Sequence, residues 1–231
     1  MTSLVAGWLL GLVLGMRHAC EPDHLAAVST LIDARPGRGK ATMAVGAFWG
    51  TGHALALLSV AGVLALLRAR LPVSLSLGFE LLVALMLIGL GARALLRERR
   101  RWREHADGGG RGPSVDVRPA PIEEAAAPAG WTLARRPLLV GLVHGLAGSG
   151  ALAALVMANL PSLGARLGYI ALFSLGSIVG MSALTTFAAW QLGRVARSLR
   201  LARGLAIATG SLSLGLGGWW GWAATASLLG L

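Results

Sequence analysis

Leu9-Leu10-Gly11-Leu12-Val13-Leu14-Gly15-Met16-Arg17-His18-Ala19-Cys20-Glu21-Pro22-Asp23-His24-Leu25-Ala26 begins as an apolar run and then packs Arg17, His18, Glu21, Asp23 and His24 into eight residues. The flanks, from Leu4 to Ile32, are otherwise almost free of charge and are long enough to enter a bilayer. An ionisable group placed there costs roughly 2.5–3.5 kcal/mol on insertion scales, so several together need a reason. Imidazole and carboxylate are the ligands that a divalent transition metal of intermediate softness prefers. A membrane segment carrying two His and an Asp therefore reads as part of an ion path.

The whole chain supports a membrane setting. Its 231 residues are 55% hydrophobic and 13% charged, and mean hydropathy is +0.67. A soluble domain carries about 25% charged residues. The net charge of +11 could point to nucleic acid, but Lys and Arg sit between the hydrophobic stretches, so no nucleic-acid partner is expected. Cys20 is the single cysteine, which excludes an internal disulfide and a dithiol carrier. The run Leu4 to Gly15 is read as a retained helix rather than a cleaved signal, because no Lys or Arg precedes it and Arg17 and His18 stand where cleavage needs small residues.

Six stretches are long enough to span, at about 4–32, 42–67, 72–95, 137–160, 164–192 and 204–229. They predict an all-α polytopic helix bundle in one membrane domain, with Pro72 and Pro137 opening the third and fourth stretches. Residues 97–136 hold Arg99-Arg100-Arg101, Gly108-Gly109-Gly110 and several prolines, and read as a flexible loop. Counting Lys and Arg, the first, third and fifth loops carry seventeen and the second and fourth carry three. Positive charge stays inside, so the 97–136 loop is expected in the cytoplasm and both termini outside.

An internal echo suggests two halves. Gly15-x-x-His18-Ala19 parallels Gly141-x-x-His144-Gly145, and Phe48-x-Gly50-Thr51 loosely parallels Phe173-x-x-Gly176-Ser177. Two three-helix halves would lie in opposite orientation, an architecture of secondary transporters; chance likeness among Gly-, Ala- and Leu-rich helices is the competing reading.

Four of the five histidines, His18, His24, His53 and His144, fall in hydrophobic stretches, and His105 falls in the loop. Together with Asp23 they form the candidate metal-ligand set. On a straight helix His18 stands about 140° from Asp23 and about 120° from His24, so the three cannot share a target. Pro22 offers a break: it lacks an N–H and its ring clashes with the carbonyl of His18, which the break would free. The bland alternative is an ordinary proline kink. Arg17 and Glu21, four apart, could pair and steady the histidines from behind, as could Pro22. Cys20 could be a soft extra ligand or a small packing residue, and Glu80 an entry carboxylate or an interfacial one. His53 and His144 are expected to approach the break from their own helices, with nitrogens of His18, His24 and His53 within about 8 Å of one another, close enough to shut on an ion. Acid should weaken such a site by protonating its imidazoles.

The run Arg17-His18-Ala19-Cys20-Glu21-Pro22-Asp23-His24-Leu25 resembles the signature of the nickel/cobalt transporter family, Arg-His-Ala, a variable position, then Asp-Ala-Asp-His-Ile. The frame matches at His18, Asp23 and His24; Glu21, Pro22 and Leu25 replace Asp, Ala and Ile. Gly52-His53 resembles the family's second motif without the following hydroxyl residue. Leu172-Phe173-Ser174-Leu175-Gly176 resembles the start of a third, whose acidic and Thr residues give way to Ser177-Ile178-Val179-Gly180-Met181. Longer family members have eight spanning helices against the six counted here, so the chain looks like a short divergent branch, similar to urease-associated nickel permeases. The resemblance implies uptake of Ni²⁺ or Co²⁺ across a bacterial inner membrane, with the metal as substrate and no permanent cofactor; His144 could replace a ligand of the missing motif.

The leading expectation is a secondary transporter and not an enzyme; no Walker-type phosphate loop is present, so direct ATP use by this chain is not expected. The alternatives are a membrane redox protein with His-ligated haem, a membrane zinc enzyme, and an exporter of another small solute. Its partners are the lipid bilayer and a divalent ion, and a homo-oligomer is compatible with the sequence.

Overall fold

A computed structural model describes residues 2–33, 40–67, 71–107, 130–146, 160, 162–195 and 199–230. Seven helices and no strand occur among them: α1 Thr2–His18, α2 Pro22–Asp33, α3 Lys40–Leu67, α4 Val73–Asp107, α5 Gly130–His144, α6 Leu163–Val195 and α7 Leu199–Leu229. Three segments are long and apolar enough to cross a membrane, Ala41–Leu64, Val73–Arg103 and Leu163–Gln191; Val5–His18 is a shorter apolar helix.

The first hydrophobic stretch is two helices, and Pro22 is where the second begins. At the first position of a helix a proline loses nothing, because that N–H would have no partner anyway, and its fixed φ suits the helix. The Leu25 N–H donates to the Glu21 carbonyl at 3.0 Å, which makes Glu21 the residue that caps α2. One expectation needs correction. The His18 carbonyl is not freed: the Glu21 N–H donates to it at 3.0 Å, while Cys20 N–H donates to the Arg17 carbonyl at 2.9 Å. Proline removes the bond that would come from four residues on, and a tighter turn supplies one from three residues on.

Two other boundaries differ from the sequence reading. Helix α4 does not stop near residue 95 but runs to Asp107, and α5 starts at Gly130 with Pro137 inside it, so both ends of the 97–136 loop are helical. The remainder of that loop, 108–129, lies outside the described residues, as does most of the stretch after α5. The tail of α4 is charged yet anchored. Glu98 sits 3.4 Å from Arg203 of α7 and 4.0 Å from Arg101, and the Arg203 guanidinium lies 4.0 Å over the Trp102 ring. Such contacts, and the high helix propensity of Arg and Glu, extend the helix past its apolar part. In α5, Leu133-Ala134-Arg135-Arg136 are helix formers that carry the helix ahead of Pro137.

The packing order is α5, α3, α6, α1, each against the next, and α4 pairs along its length with α7. Helix α2 wedges between these groups, touching α7, α4 and α6. In lipid, apolar surface alone does not hold helices together, so close backbone approach matters. At Gly15 a Cβ would overlap the Phe173 carbonyl oxygen and come 3.0 Å from Ser177 N, so only glycine lets α1 lie this close to α6. Ser177 Oγ donates to the Gly15 carbonyl at 3.3 Å across the same crossing. At Gly141, α5 meets α3 in the same way, against the Trp49 carbonyl and His53 N. The core between the helices holds Ala19, Ala26, Ala27, Val28, Trp49, Val83, Leu87 and Met181.

Candidate metal site

Four helix segments deliver the ionisable groups to one place. His18 is the last residue of α1 and His144 the last of α5; Asp23 and His24 open α2; His53 comes from within α3. His24 and His53 are 0% exposed and His144 1%, with His18 and Asp23 also buried. The helix ends bear on the electrostatics. The C-termini of α1 and α5 each present roughly half a negative charge to the cluster, and both favour a cation. Asp23 lies in the first turn of α2, where the positive helix end favours its carboxylate.

The carboxylates assign the tautomers, because an ionised carboxylate only accepts. His18 Nδ1–H donates to Glu21 Oε1 at 2.9 Å, and His24 Nδ1–H donates to Asp23 Oδ1 at 3.1 Å. His144 Nε2–H donates to Asp23 Oδ2 at 2.6 Å. The lone pair of His18 then sits on Nε2, which accepts from His53 Nε2–H at 3.1 Å. This leaves lone pairs on His24 Nε2, His53 Nδ1 and His144 Nδ1, the three buried imidazole nitrogens with no hydrogen-bond partner. A buried polar atom without a partner is costly and calls for an explanation. Here all three are electron-pair donors, and a carboxylate behind an imidazole is the usual way such a ligand is oriented and made more basic.

Two groups bring their ligand atoms within 4.8 Å of one another: His18, His24 and His53; and Asp23, His24 and His144. The rings are packed tightly, with centroids 4.4 Å apart for His18 and His24, 4.2 Å for His24 and His144, and 6.2 Å for His53 and His144. All five residues of the candidate ligand set therefore meet, and the His18, His24 and His53 nitrogens are closer than the expected 8 Å.

The remaining candidates fare differently. Glu21 turns to His18 and not to Arg17; the turn at residues 19–21 interrupts the helix and removes the four-residue spacing that would have paired them. Pro22 opens α2, directly before Asp23. Cys20 is exposed in the turn, and Glu80 is half-buried on α4; neither belongs to a ligand group. His105 falls in the tail of α4.

Sequence reading missed Trp49. It is fully buried, with its ring 5.4 Å from His24 and 6.2 Å from His144, and its Nε1 has no partner. The signal was there: Trp49 lies four residues before His53, hence on the same face of α3. Phe173, noted in the repeat and in the likeness to the third motif but not as a site residue, lies 5.6 Å from the His18 ring.

A family model described as NicO, high-affinity nickel-transport protein, matches residues 5–123, which contain four of the five clustered residues. The urease accessory protein UreH of Bacillus sp. (strain TB-90) is 30% identical over 211 residues, covering 88% of this chain and 85% of that protein. No solved structure matches. A buried His/Asp cluster in an apolar helical bundle and these two likenesses lead to one conclusion: the chain is a multi-pass membrane protein of the NicO high-affinity nickel-transport family, a transporter family and not an enzyme family.

Proposed function

We propose that this protein takes up Ni²⁺ as a secondary transporter, and that His18, Asp23, His24, His53 and His144 hold the ion on its way. The observation that carries the reading is the meeting of four buried His and Asp23 in two groups that share His24, with three buried imidazole nitrogens left without partners. Nitrogen and carboxylate donors suit Ni²⁺ and Co²⁺ alike, and the family description, which names nickel, supports Ni²⁺ first. Rings this close leave no slot for a porphyrin, so the cluster suits a bare ion better than haem. The membrane potential supplies about 2.3 kcal/mol per charge per 100 mV, hence about 4.6 kcal/mol for a dication. That is on the order of a thousandfold accumulation without any second driving ion.

The same proposal includes the frame: one membrane domain of six spans in two inverted halves, with α1 and α2 together making the first span. The glycine crossings support it. Gly15 meets Phe173 and Ser177 as Gly141 meets Trp49 and His53. Gly176 meets Leu12 and Met16 as Gly52 meets Leu138 and Leu142. Gly91 meets Gly210 and Leu214 as Gly217 meets Ala84 and Ile88. Each partner in one set has its counterpart in the other at near-constant sequence spacing, so α1, α3 and α4 correspond to α5, α6 and α7. The Lys and Arg count supports termini outside and the 97–136 segment in the cytoplasm, and the family supports the bacterial inner membrane.

Uptake into proteoliposomes tests the function. With the interior negative, Ni²⁺ should accumulate ahead of Zn²⁺ and Mn²⁺, with Co²⁺ as the close competitor. Absence of potential-driven accumulation of both Ni²⁺ and Co²⁺ would remove the proposal. Uptake is the needed readout, because affinity alone follows the general metal order whatever the physiological ion.

A further inference from the structure

The geometry points to Trp49 and Phe173 as the two gates of the ion path, one on each side of the histidine cluster. This deepens the proposed function and rests on the cluster being the transport site. Helices α3 and α6 run antiparallel: Gly46 lies against Met181 and Thr185, Gly50 against Ile178, and Leu57 packs with Tyr169, Ile170 and Phe173. His53 stands between these levels. Trp49 is one turn before it, towards Lys40, and Phe173 is near the level of Leu57, one turn beyond it, towards Leu67. Each ring bears on the cluster from its own side. Phe173 lies 5.6 Å from the His18 ring, and Trp49 lies 5.4 Å from His24 and 6.2 Å from His144. The two aromatics also hold matching places: Gly15 of α1 meets Phe173 as Gly141 of α5 meets Trp49.

Behind each ring the packing is apolar. Phe173 sits with Leu57, Tyr169 and Ile170, and Leu14 of α1 lies against them. Trp49 sits in the core with Ala26, Ala27 and Val28, which follow His24 on α2. The histidines between are 0–5% exposed, so both sides are shut at once. A hydrated ion does not cross an apolar constriction until it widens and wets. A path open at both ends would discharge the gradient that drives uptake, so the two sides must open in turn. Each side holds one buried donor with no partner: the Trp49 Nε1–H on one, and on the other the hydroxyl of Tyr169, one turn from Phe173. A buried donor left unpaired calls for an explanation, and water admitted on its own side would satisfy it. Opening a gate therefore lifts a ring from its histidine and hydrates the donor beside it.

The test reads access to the cluster from each face of the membrane. His53→Cys in a Cys20→Ser background leaves one thiol per chain, between the two rings. Ser177→Cys, at the matching place on α6, is the second reporter where the first is not monodisperse. The probe is a small cationic membrane-impermeant methanethiosulfonate, applied to intact cells for the outer face and to inverted vesicles for the inner. With both rings in place, labelling should be slow from both faces. Phe173→Ala should speed it about tenfold or more from one face alone, and Trp49→Ala by a similar factor from the other face alone. Leucine replaces alanine where the smaller residue does not fold. Trp49→Phe and Phe173→Tyr, which keep a ring, should stay slow. Faster labelling of both alanine variants from the same face, of either from both faces, or of neither, would overturn the gates. With the termini outside, the Phe173 side is the outer one; opposite faces in the reverse order keep the gates and reverse the topology. Labelling needs no transported ion, so the two readings separate. Opposite-face labelling without Ni²⁺ or Co²⁺ uptake by wild type sinks the metal-transport reading, and wild-type uptake without sided labelling sinks the gates alone.

Discussion

Helix α1 ends at His18 and helix α5 ends at His144, and up to the histidine the two ends are built alike. Each has a glycine three residues earlier that lets it touch a long central helix, α6 for α1 and α3 for α5. Each closes with a three-residue turn, Cys20 N–H to the Arg17 carbonyl at 2.9 Å and Leu146 N–H to the Val143 carbonyl at 3.2 Å. Beyond the histidine they part. After His18 come Glu21, Asp23 and His24; after His144 the sequence Gly145-Leu146-Ala147-Gly148-Ser149-Gly150 has no ionisable side chain. The helices they lie against differ too, with His53 under Gly141 and Ser177 under Gly15. Packing demands the same small residues on both sides of the bundle, because backbones cannot approach otherwise. Ligands face no such demand, and one side can lose them while the other supplies the chemistry.

If the glycines are the common frame, enlarging them should cost the most and cost both sides alike. Gly15→Leu and Gly141→Leu each drive a side chain into a neighbouring carbonyl oxygen that no rotamer change can clear. The loss should reach or pass about 3 kcal/mol, the upper end of common overpacking costs, and show as little monodisperse protein after solubilisation. Survival of one variant with collapse of the other would break the likeness between the two ends.

The ligand side should respond in function and not in folding. Asp23→Asn keeps the shape but removes the charge that receives hydrogen bonds from both His24 and His144. Ni²⁺ uptake should fall about a hundredfold or more, as should that of His18→Ala and His24→Ala, while expression stays near that of wild type. Wild-type uptake in all three would sink the metal-site reading. Ser177→Ala, on the other side, loses one 3.3 Å bond to Gly15 and should leave uptake within about threefold, with a stability cost of about 1 kcal/mol.

The cluster was legible because charge is expensive in lipid: four histidines and an aspartate in apolar stretches had to meet something. The break at Pro22 was legible because proline has no N–H. The finer choices were not. Whether Glu21 pairs with Arg17 or His18 depends on the three residues of the turn, and helix spacing no longer applies there. The reach of α4 to Asp107 depends on Arg203 and Trp102, more than a hundred residues apart in the chain, holding its charged tail. The spacing of Trp49 to His53 put both on one face of α3, but that this face meets His24 and His144 follows from the packing of the other helices, and not from α3 alone.

The smallest effect is the most local test of the frame. Gly89 and Gly91 are two residues apart on α4 and face opposite circumstances. A Cβ at Gly91 would lie 2.6 Å from the Gly210 carbonyl oxygen and 2.9 Å from Leu214 N, whereas at Gly89 nothing comes within 4 Å. Gly91→Ala should lower the melting temperature in detergent, and so should Gly217→Ala, whose Cβ would lie 2.8 Å from the Ala84 carbonyl oxygen on the matching crossing. Gly89→Ala should instead be neutral or raise stability by roughly 0.5–1 kcal/mol, because alanine gives up less backbone freedom in a helix than glycine. Ni²⁺ uptake by Gly89→Ala should match wild type. A lowered melting temperature for Gly89→Ala would mean that its face of α4 is covered in the intact protein, and the frame would then extend past a single chain.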